Sequence, residues 1–510
     1  MAVVDEDGAD RYVDLWTGAL HYAEAMRRSG VGRGDVVLAQ LPNWREFVTL
    51  AVAAETAGVV LAFCPVHWGL RETAGALALI RPRLWFTTLA TEGEVDRTEL
   101  VRRALDGVSS PLRAVLIRSR EAPAGTTPFH DWLASTERPS VDTAVEGAAG
   151  LAPLEIAVTS GSAGEPKSVV HVHDTALAAV DSTIRRQRIV PGDVIHVAVS
   201  VCHTFGYFYG VRCALQAGAA MVLQERFRPR RMLELIDAHD ITISLGPSAF
   251  VLELLRGAAT YRRGLTRLRF FTHGGDTLPA SVMRRAVEQL PFRISRVFGM
   301  TEFGHVTATD ETTPLEQCID SVGSPQAEME LRILDSDGTP LGSGREGRLH
   351  ARGPFLFAGY LAEDRVDEDV VDDDGFFDTG DLGFIGADGF LRITGRARHV
   401  IRRGAETVPV ALLENLIAGH PSVQHAVVVG APDSRFGLGE VPIACAQLHA
   451  GASLTLPEIE ELLAQHGVTR RFWPVGLRVF DEWPLGPTGK LDRAALLQRV
   501  TEPDSARRET

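Results

Sequence analysis

Short β-branched runs alternate with amphipathic stretches of helical period over most of this chain, and that alternation restricts the fold more than any other feature. Residues 12–29 place Tyr12, Leu15, Trp16, Leu20, Ala23 and Met26 at helical spacing, Gly30 and Gly34 interrupt them, and Val36-Val37-Leu38 reads as a strand. A helix opening at Pro42-Asn43 and ending near Gly58, a buried strand at 59–64 and strands at 84–86 and 114–117 continue the pattern. Past residue 173 it resumes, with helices near 174–187, 205–217, 229–239 and 279–290 and strands at 194–199, 220–224, 241–245, 268–272 and 294–297. This spacing predicts an α/β class of parallel-type sheets covered by helices.

From about residue 320 the texture changes. Asp337-Gly338, Asp374-Gly375 and Asp388-Gly389 are hairpin signals between short alternating runs, as in a small antiparallel β subdomain over about 320–396. The acidic run 363–374 lacks ligand-like spacing and reads as a solvated loop. From 399 onward strands at 426–429, 443–447 and 477–480 with helices at 456–466 and 492–500 outline a compact α+β unit. At 510 residues the chain exceeds what one core supports. The expected division is a large N-terminal domain, 1–396, and a small mobile C-terminal domain, 399–510.

A formal net charge of −14 argues against nucleic acid or an anionic membrane as the main partner and favours small molecules. Cys64, Cys202, Cys213, Cys318 and Cys445 are scattered, with no C-x-x-C pair, which fits a reducing compartment. Acids occupy the start of the chain where a signal peptide would be basic, and the apolar stretch 47–63 is short for a membrane span. The expected location is cytoplasmic, with no transmembrane segment; a homodimer is left open.

The chemistry is concentrated in Thr159-Ser160-Gly161-Ser162-Ala163-Gly164-Glu165-Pro166-Lys167. Glycines permit close backbone approach to an anion, while hydroxyls and one ammonium complete a phosphate cradle. The run misses the Walker spacing, and residues 168–173 alternate like a strand, so the loop is expected to join two strands rather than cap a helix. Read alone, such a loop is more often an ordinary turn; the motifs on either side of it reverse that.

Downstream lie Phe298-Gly299-Met300-Thr301-Glu302, Phe377-Asp378-Thr379-Gly380-Asp381-Leu382, Ile393-Thr394-Gly395-Arg396 and Pro487-Thr488-Gly489-Lys490-Leu491. In that order the set resembles the adenylate-forming superfamily of acyl-CoA synthetases, luciferase-type enzymes and peptide-synthetase adenylation domains. Leu41-Pro42-Asn43-Trp44-Arg45-Glu46-Phe47 and Val408-Pro409-Val410 lean towards cyclohexanecarboxylate- and medium-chain-type ligases.

The resemblance implies attack of a carboxylate on the α-phosphate of ATP, giving acyl-adenylate and pyrophosphate, then displacement of AMP by the thiol of CoA. It assigns Thr159, Ser160, Gly161, Ser162, Gly164 and Lys167 to the phosphates, with Ala163 where threonine is usual and Ser168 where glycine is usual. Glu302 would bind Mg2+, Thr301 would meet the α-phosphate, Phe298 would stack on adenine beside Gly299 and Met300, and Gly274-Gly275-Asp276-Thr277 would line the adenine and acyl pocket. Asp381, with Arg396 downstream, would take the ribose hydroxyls, and His203 in His203-Thr204-Phe205-Gly206 would gate the carboxylate site. Lys490 would be the catalytic lysine of the mobile domain, Arg398 the hinge, and Gly404 and Ala405 the acceptor tunnel, where a second glycine is usual.

Bland readings accompany these assignments. Thr301-Glu302 could cap a helix, Asp381 could be a hairpin residue, and His203 could be structural. His171 and His173 would share a strand face at i, i+2, without a third metal ligand. Phe205, Tyr207, Phe208 and Tyr209 could line a pocket for an apolar or aromatic acid or simply fill the core. Ala163 and Ala405 motivate an alternative acceptor or oxyanion: a carrier-protein thiol, an amine, or nitrite activated for arylamine diazotisation. A non-catalytic binding protein is disfavoured by the joint presence of Lys167, Glu302, Asp381, Arg396 and Lys490.

Overall fold

The computed structural model describes residues 1–501 except 92–95, 109–111, 120, 135, 138, 141–149, 151, 161–165, 277, 363–364, 397–400, 404–405, 409, 433–439, 467, 469 and 486–490. Two large mixed sheets form the N-terminal part. One runs in parallel through Val3–Asp5, Ala220–Leu223, Val194–Val197, Ile243–Gly246, Phe270–His273 and Arg293–Met300. The other runs in parallel through Thr126–Pro128, Arg113–Leu116, Leu84–Thr87, Val36–Ala39, Val60–Phe63 and Pro153–Ser160, then turns antiparallel through Pro166–Val172 and Gly359–Ala362.

The helices Tyr12–Arg28, Arg45–Ala57 and His173–Gln187 contribute Leu15, Phe47 and Val180 to one continuous core with Phe63 and Val197 from the two sheets. Burying apolar surface on both faces explains why the parallel strands read as unbroken apolar runs. Helices Leu70–Ile80 and Thr98–Asp106, which periodicity did not single out, cover the far face of the second sheet through Leu77 and Val101.

Three local departures have physical causes. A hairpin of Val3–Asp5 and Gly8–Asp10 sits at a sheet edge, because the Asp5 carboxylate accepts from the amides of Asp7 and Gly8, both at 3.0 Å, and so closes a tight turn. The expected helix near 205–217 is three segments, with a π-helical turn Tyr207–Arg212 between Thr204–Gly206 and Cys213–Ala217. That turn packs hard against its sheet: a Cβ on Gly210 would meet Val197 Cγ2 at 2.7 Å, and Tyr207, Phe208 and Tyr209 are all buried. The third concerns the two histidines after the loop. Only His171 lies in the strand; His173 opens the helix His173–Gln187, so they share no strand face.

A four-stranded antiparallel sheet of Glu330–Leu334, Gly347–Arg352, Phe377–Ile385 and Leu391–Arg396 forms the β subdomain. Within the acidic run, Asp372 and Asp374 pair with Arg332. The small C-terminal domain has its own sheet, Val423–Pro432, Glu440–Leu448 and Leu477–Val479, and a separate core around Leu413, Val428, Ile459 and Leu463. It touches the large domain where Ser281 Oγ donates to the Ala418 carbonyl at 3.2 Å. All five cysteines are buried and unpaired. Among the described residues no helix is long and apolar enough to cross a membrane.

Candidate active site

The glycine-rich run joins two antiparallel strands, as expected: Thr159 faces Lys167 and Ser160 faces Pro166 in the hairpin of Pro153–Ser160 and Pro166–Val172. Gly161, Ser162, Ala163 and Gly164 lie outside the described residues. Ser168 is buried opposite Val158, and its hydroxyl has no hydrogen-bond partner among the described residues. Side chains alternate along a strand, so Lys167, Val169 and His171 share one face; Tyr360 on Gly359–Ala362 is paired with Val169 and joins them there.

Facing this surface is a second hairpin, Arg293–Met300 and Gly304–Ala308, whose turn carries Thr301 and Glu302. The turn is not a helix cap. Its register shifts between Phe298 and Gly299, and a Cβ at Gly299 would lie 2.0 Å from the Gly304 carbonyl oxygen, so the close crossing requires glycine. Phe298 and Met300 are partly buried beside it, with the Phe298 ring 6.3 Å from Phe303.

The two surfaces are stitched by side chains. His171 Nε2 lies 2.7 Å from the Thr301 carbonyl oxygen, an acceptor, so Nε2 carries the proton. Burial lowers the His171 pKa to about 4, keeping it neutral. Its Nδ1 is buried without a hydrogen-bond partner among the described residues, an arrangement that costs about 1–3 kcal/mol. The Tyr360 hydroxyl donates to Glu302 Oε1 at 2.8 Å, and Lys167 Nζ sits 4.8 Å from the Tyr360 ring centroid. The Glu302 carbonyl is fixed by the Phe357 amide at 2.7 Å. The second Glu302 oxygen accepts no hydrogen bond among the described residues, so this largely buried carboxylate fits a hard cation that keeps most of its other ligands as water and phosphate.

Asp381 lies on Phe377–Ile385 directly across from Arg396, whose Nε donates to Asp381 Oδ1 at 2.9 Å. Asp381 Oδ2 is buried and has no hydrogen-bond partner among the described residues. Burial raises the Asp381 pKa above the ordinary carboxylate value; Arg396 opposes this, and the charges of Asp378 and Glu302 add to it. Thr379 Oγ1 accepts from the Asp381 amide at 3.0 Å and donates to the Leu349 carbonyl at 2.9 Å, which fixes the strand at this point.

The segment after Phe270–His273 is built for close packing. A Cβ on Gly274 would meet Val297 Cγ2 at 2.7 Å and Phe205 Cζ at 3.5 Å, and Gly275 has φ +90°. Asp276 turns inward, accepting from the Ser248 amide at 3.0 Å and lying 3.0 Å from His273 Nε2. Its carboxylate therefore anchors the helix Ser248–Gly257 to this loop. Thr277 lies outside the described residues. His203 Nδ1 accepts from the Phe205 amide at 3.2 Å, so this histidine shapes its own motif as a cap. Phe205 reaches His305 edge-on at 5.5 Å, and His305 stacks on Tyr209 with ring centroids 3.3 Å apart. The aromatic motif, Gly274 and the Thr301 hairpin thus converge, although they are far apart along the chain.

Arg398, Gly404, Ala405 and Lys490 also lie outside the described residues. Tyr360 and the roles of His171 and His305 escaped the sequence reading. The clue available for Tyr360 was a strand-like Gly-Tyr pair with no indication of which strand it would join.

The AMP-binding enzyme family matches residues 1–361, and its AMP-binding enzyme C-terminal domain matches residues 412–490. The medium-chain fatty-acid–CoA ligase of Escherichia coli (strain K12) is 28% identical over 98% of this chain and 88% of its own length. The salicyl-AMP ligase / salicyl-S-ArCP synthetase of Mycobacterium tuberculosis is 29% identical over 97% of this chain and 86% of its own. The crystal structure of ATP-bound MatB from Rhodopseudomonas palustris superposes with a TM-score of 0.86 at 23% identity, covering 98% of this chain and 96% of that one. The chain belongs to the AMP-binding enzyme family, the adenylate-forming superfamily, and is an AMP-forming ligase of the acyl-CoA synthetase kind.

Proposed function

We propose that the protein activates an apolar or aromatic carboxylic acid with ATP and passes the acyl group to CoA. The observation that carries this reading is the Asp381 carboxylate: one oxygen rests on Arg396, and the other is buried with no donor to accept from among the described residues. Buried acceptors are rarely left unpaired, and a vicinal diol such as ribose supplies the missing donors.

In this reading Lys167 and the hydroxyls and amides of 159–164 hold the β- and γ-phosphates. Thr301 meets the α-phosphate, while Phe298, Gly299, Met300 and the 274–277 segment enclose the adenine. Glu302 holds magnesium, which when bound neutralises charge on the triphosphate. The acid enters beside His203 and Phe205. Its carboxylate oxygen forms a bond to the α-phosphorus as the bond to pyrophosphate breaks. Lys490 bridges the carboxylate and α-phosphate during this step, with positive charge aimed at the developing charge as the main source of rate. In the second step the CoA sulfur, entering past Gly404 and Ala405, bonds to the acyl carbon and AMP leaves.

Two successive reactions on one nucleotide need a moving part. We assign residues 1–396 to the static domain and 399–510 to the mobile one, pivoting near Arg398. The separate C-terminal core supports this division. A cytoplasmic location follows from a reaction that consumes ATP and CoA, and a homodimer is an assembly to test by light scattering.

The relative whose name includes salicyl-S-ArCP synthetase favours one further acceptor, a carrier-protein thiol. An ATP-dependent AMP-release screen over acids, with and without CoA and read by mass spectrometry, tests both readings. Acyl-CoA products support the first. A product formed equally well without CoA, nitrite with arylamines included, replaces it.

A further inference from the structure

Resting on the reading of Glu302 as a metal ligand, we propose that Tyr360 and His171 are positioning residues that clamp the Thr301–Glu302 turn from neighbouring strands and set which carboxylate oxygen meets the cation. The two groups hold the turn at two points, one on its backbone and one on the Glu302 side chain. Nε2 of His171 holds the Thr301 carbonyl at 2.7 Å, fixing the peptide that leads into Glu302. The Tyr360 hydroxyl occupies Glu302 Oε1 at 2.8 Å, leaving Oε2 as the oxygen available to a cation.

Both clamps are tied to the phosphate loop. His171 lies on the strand that carries Lys167, and Tyr360 lies opposite Val169 with its ring 4.8 Å from the Lys167 ammonium. An ammonium over an aromatic face is attracted to it, so the ring that orients the carboxylate also restrains the lysine. The phosphate-binding cation and the metal-binding anion are therefore registered to each other through one side chain. A bidentate carboxylate would favour a larger cation with flexible coordination; a carboxylate with one oxygen occupied suits a small octahedral one.

The test is nucleotide binding by calorimetry on the full chain. Tyr360→Phe and His171→Leu should each weaken the magnesium dependence of ATP binding by about 10–100-fold, the usual effect of removing a group that orients a metal ligand. AMP binding measured in chelator should stay within about twofold, and His171→Gln, which can still donate to the Thr301 carbonyl, should recover most of the loss. Manganese titration followed by electron paramagnetic resonance gives a second readout. If Glu302→Gln abolishes the metal dependence while Tyr360→Phe and His171→Leu keep it, the clamp is wrong and the metal assignment stands. If Glu302→Gln keeps it, both fall. Equal losses of AMP and magnesium–ATP affinity in the two clamp variants would mean a merely structural role and would overturn the proposal.

Discussion

Arg396 Nε holds Asp381 Oδ1 at 2.9 Å, while Oδ2 of the same carboxylate is buried without a hydrogen-bond partner among the described residues. The pair is asymmetric: the arginine is 60% exposed on its side chain and the aspartate 4%. The guanidinium can reach water, whereas the second carboxylate oxygen has no such recourse.

Replacing Asp381 with Asn should therefore separate stability from function. Burial raises the Asp381 pKa, so the folded state holds that proton more tightly than the unfolded chain. The associated stability is present below the unfolded value and lost as pH rises through the folded one. At neutral pH Asp381→Asn should raise Tm, yet weaken nucleotide binding by roughly tenfold to a hundredfold through loss of a charged acceptor. Thermal melts and calorimetry on one preparation check both directions.

Arg396→Gln should act through the same carboxylate. Removing the guanidinium takes away the main group holding the Asp381 pKa down, so that pKa moves further up. Nucleotide affinity falls as pH drops through that value, and in the variant the fall should begin at higher pH. Affinity measured across an acid series, with wild type in parallel, decides this; coincident profiles would separate Arg396 from the titration.

The sequence disclosed the glycine-rich hairpin and the Thr301-Glu302 and Asp381 motifs because each is local: a run of glycines and hydroxyls, or a short acidic motif in a strand, is visible within ten residues. What it hid were relations across the sheets. Tyr360 meets Glu302 only because Gly359–Ala362 adds to the edge of the loop hairpin, and no periodicity near 360 announces that neighbour. The π-helical turn was equally hidden, since Phe205 to Arg212 satisfies an ordinary helical pattern and the distinction arises from packing against Val197. His173 was misplaced for a simpler reason: β-branched alternation runs up to Val172, and the helix begins one residue later.

The buried ion cluster beneath the hairpin should be a stability determinant. Arg212 is paired with Glu155 and Glu55, and Glu155 is 1% exposed. Although burial opposes its charge, the surrounding acids hold Arg212 firmly cationic. Arg212→Met leaves Glu155 as an uncompensated buried charge and should cost about 3–5 kcal/mol. The double variant Arg212→Met with Glu155→Leu should recover much of that loss, measured by urea unfolding.

Lys490→Ala should distinguish the two half-reactions. If this ammonium bridges carboxylate and α-phosphate only while the adenylate forms, its loss removes a transition-state charge partner from that step alone, lowering acid-dependent pyrophosphate release by about a hundredfold or more. Transfer from a supplied acyl-adenylate to CoA should be nearly unaffected if the C-terminal domain, as proposed, has by then carried the residue away. Pyrophosphate release and acyl-CoA formation, assayed separately, check the split. A variant that forms adenylate at the wild-type rate would remove Lys490 from catalysis and leave Lys167 and the cation that Glu302 would hold as the sources of positive charge.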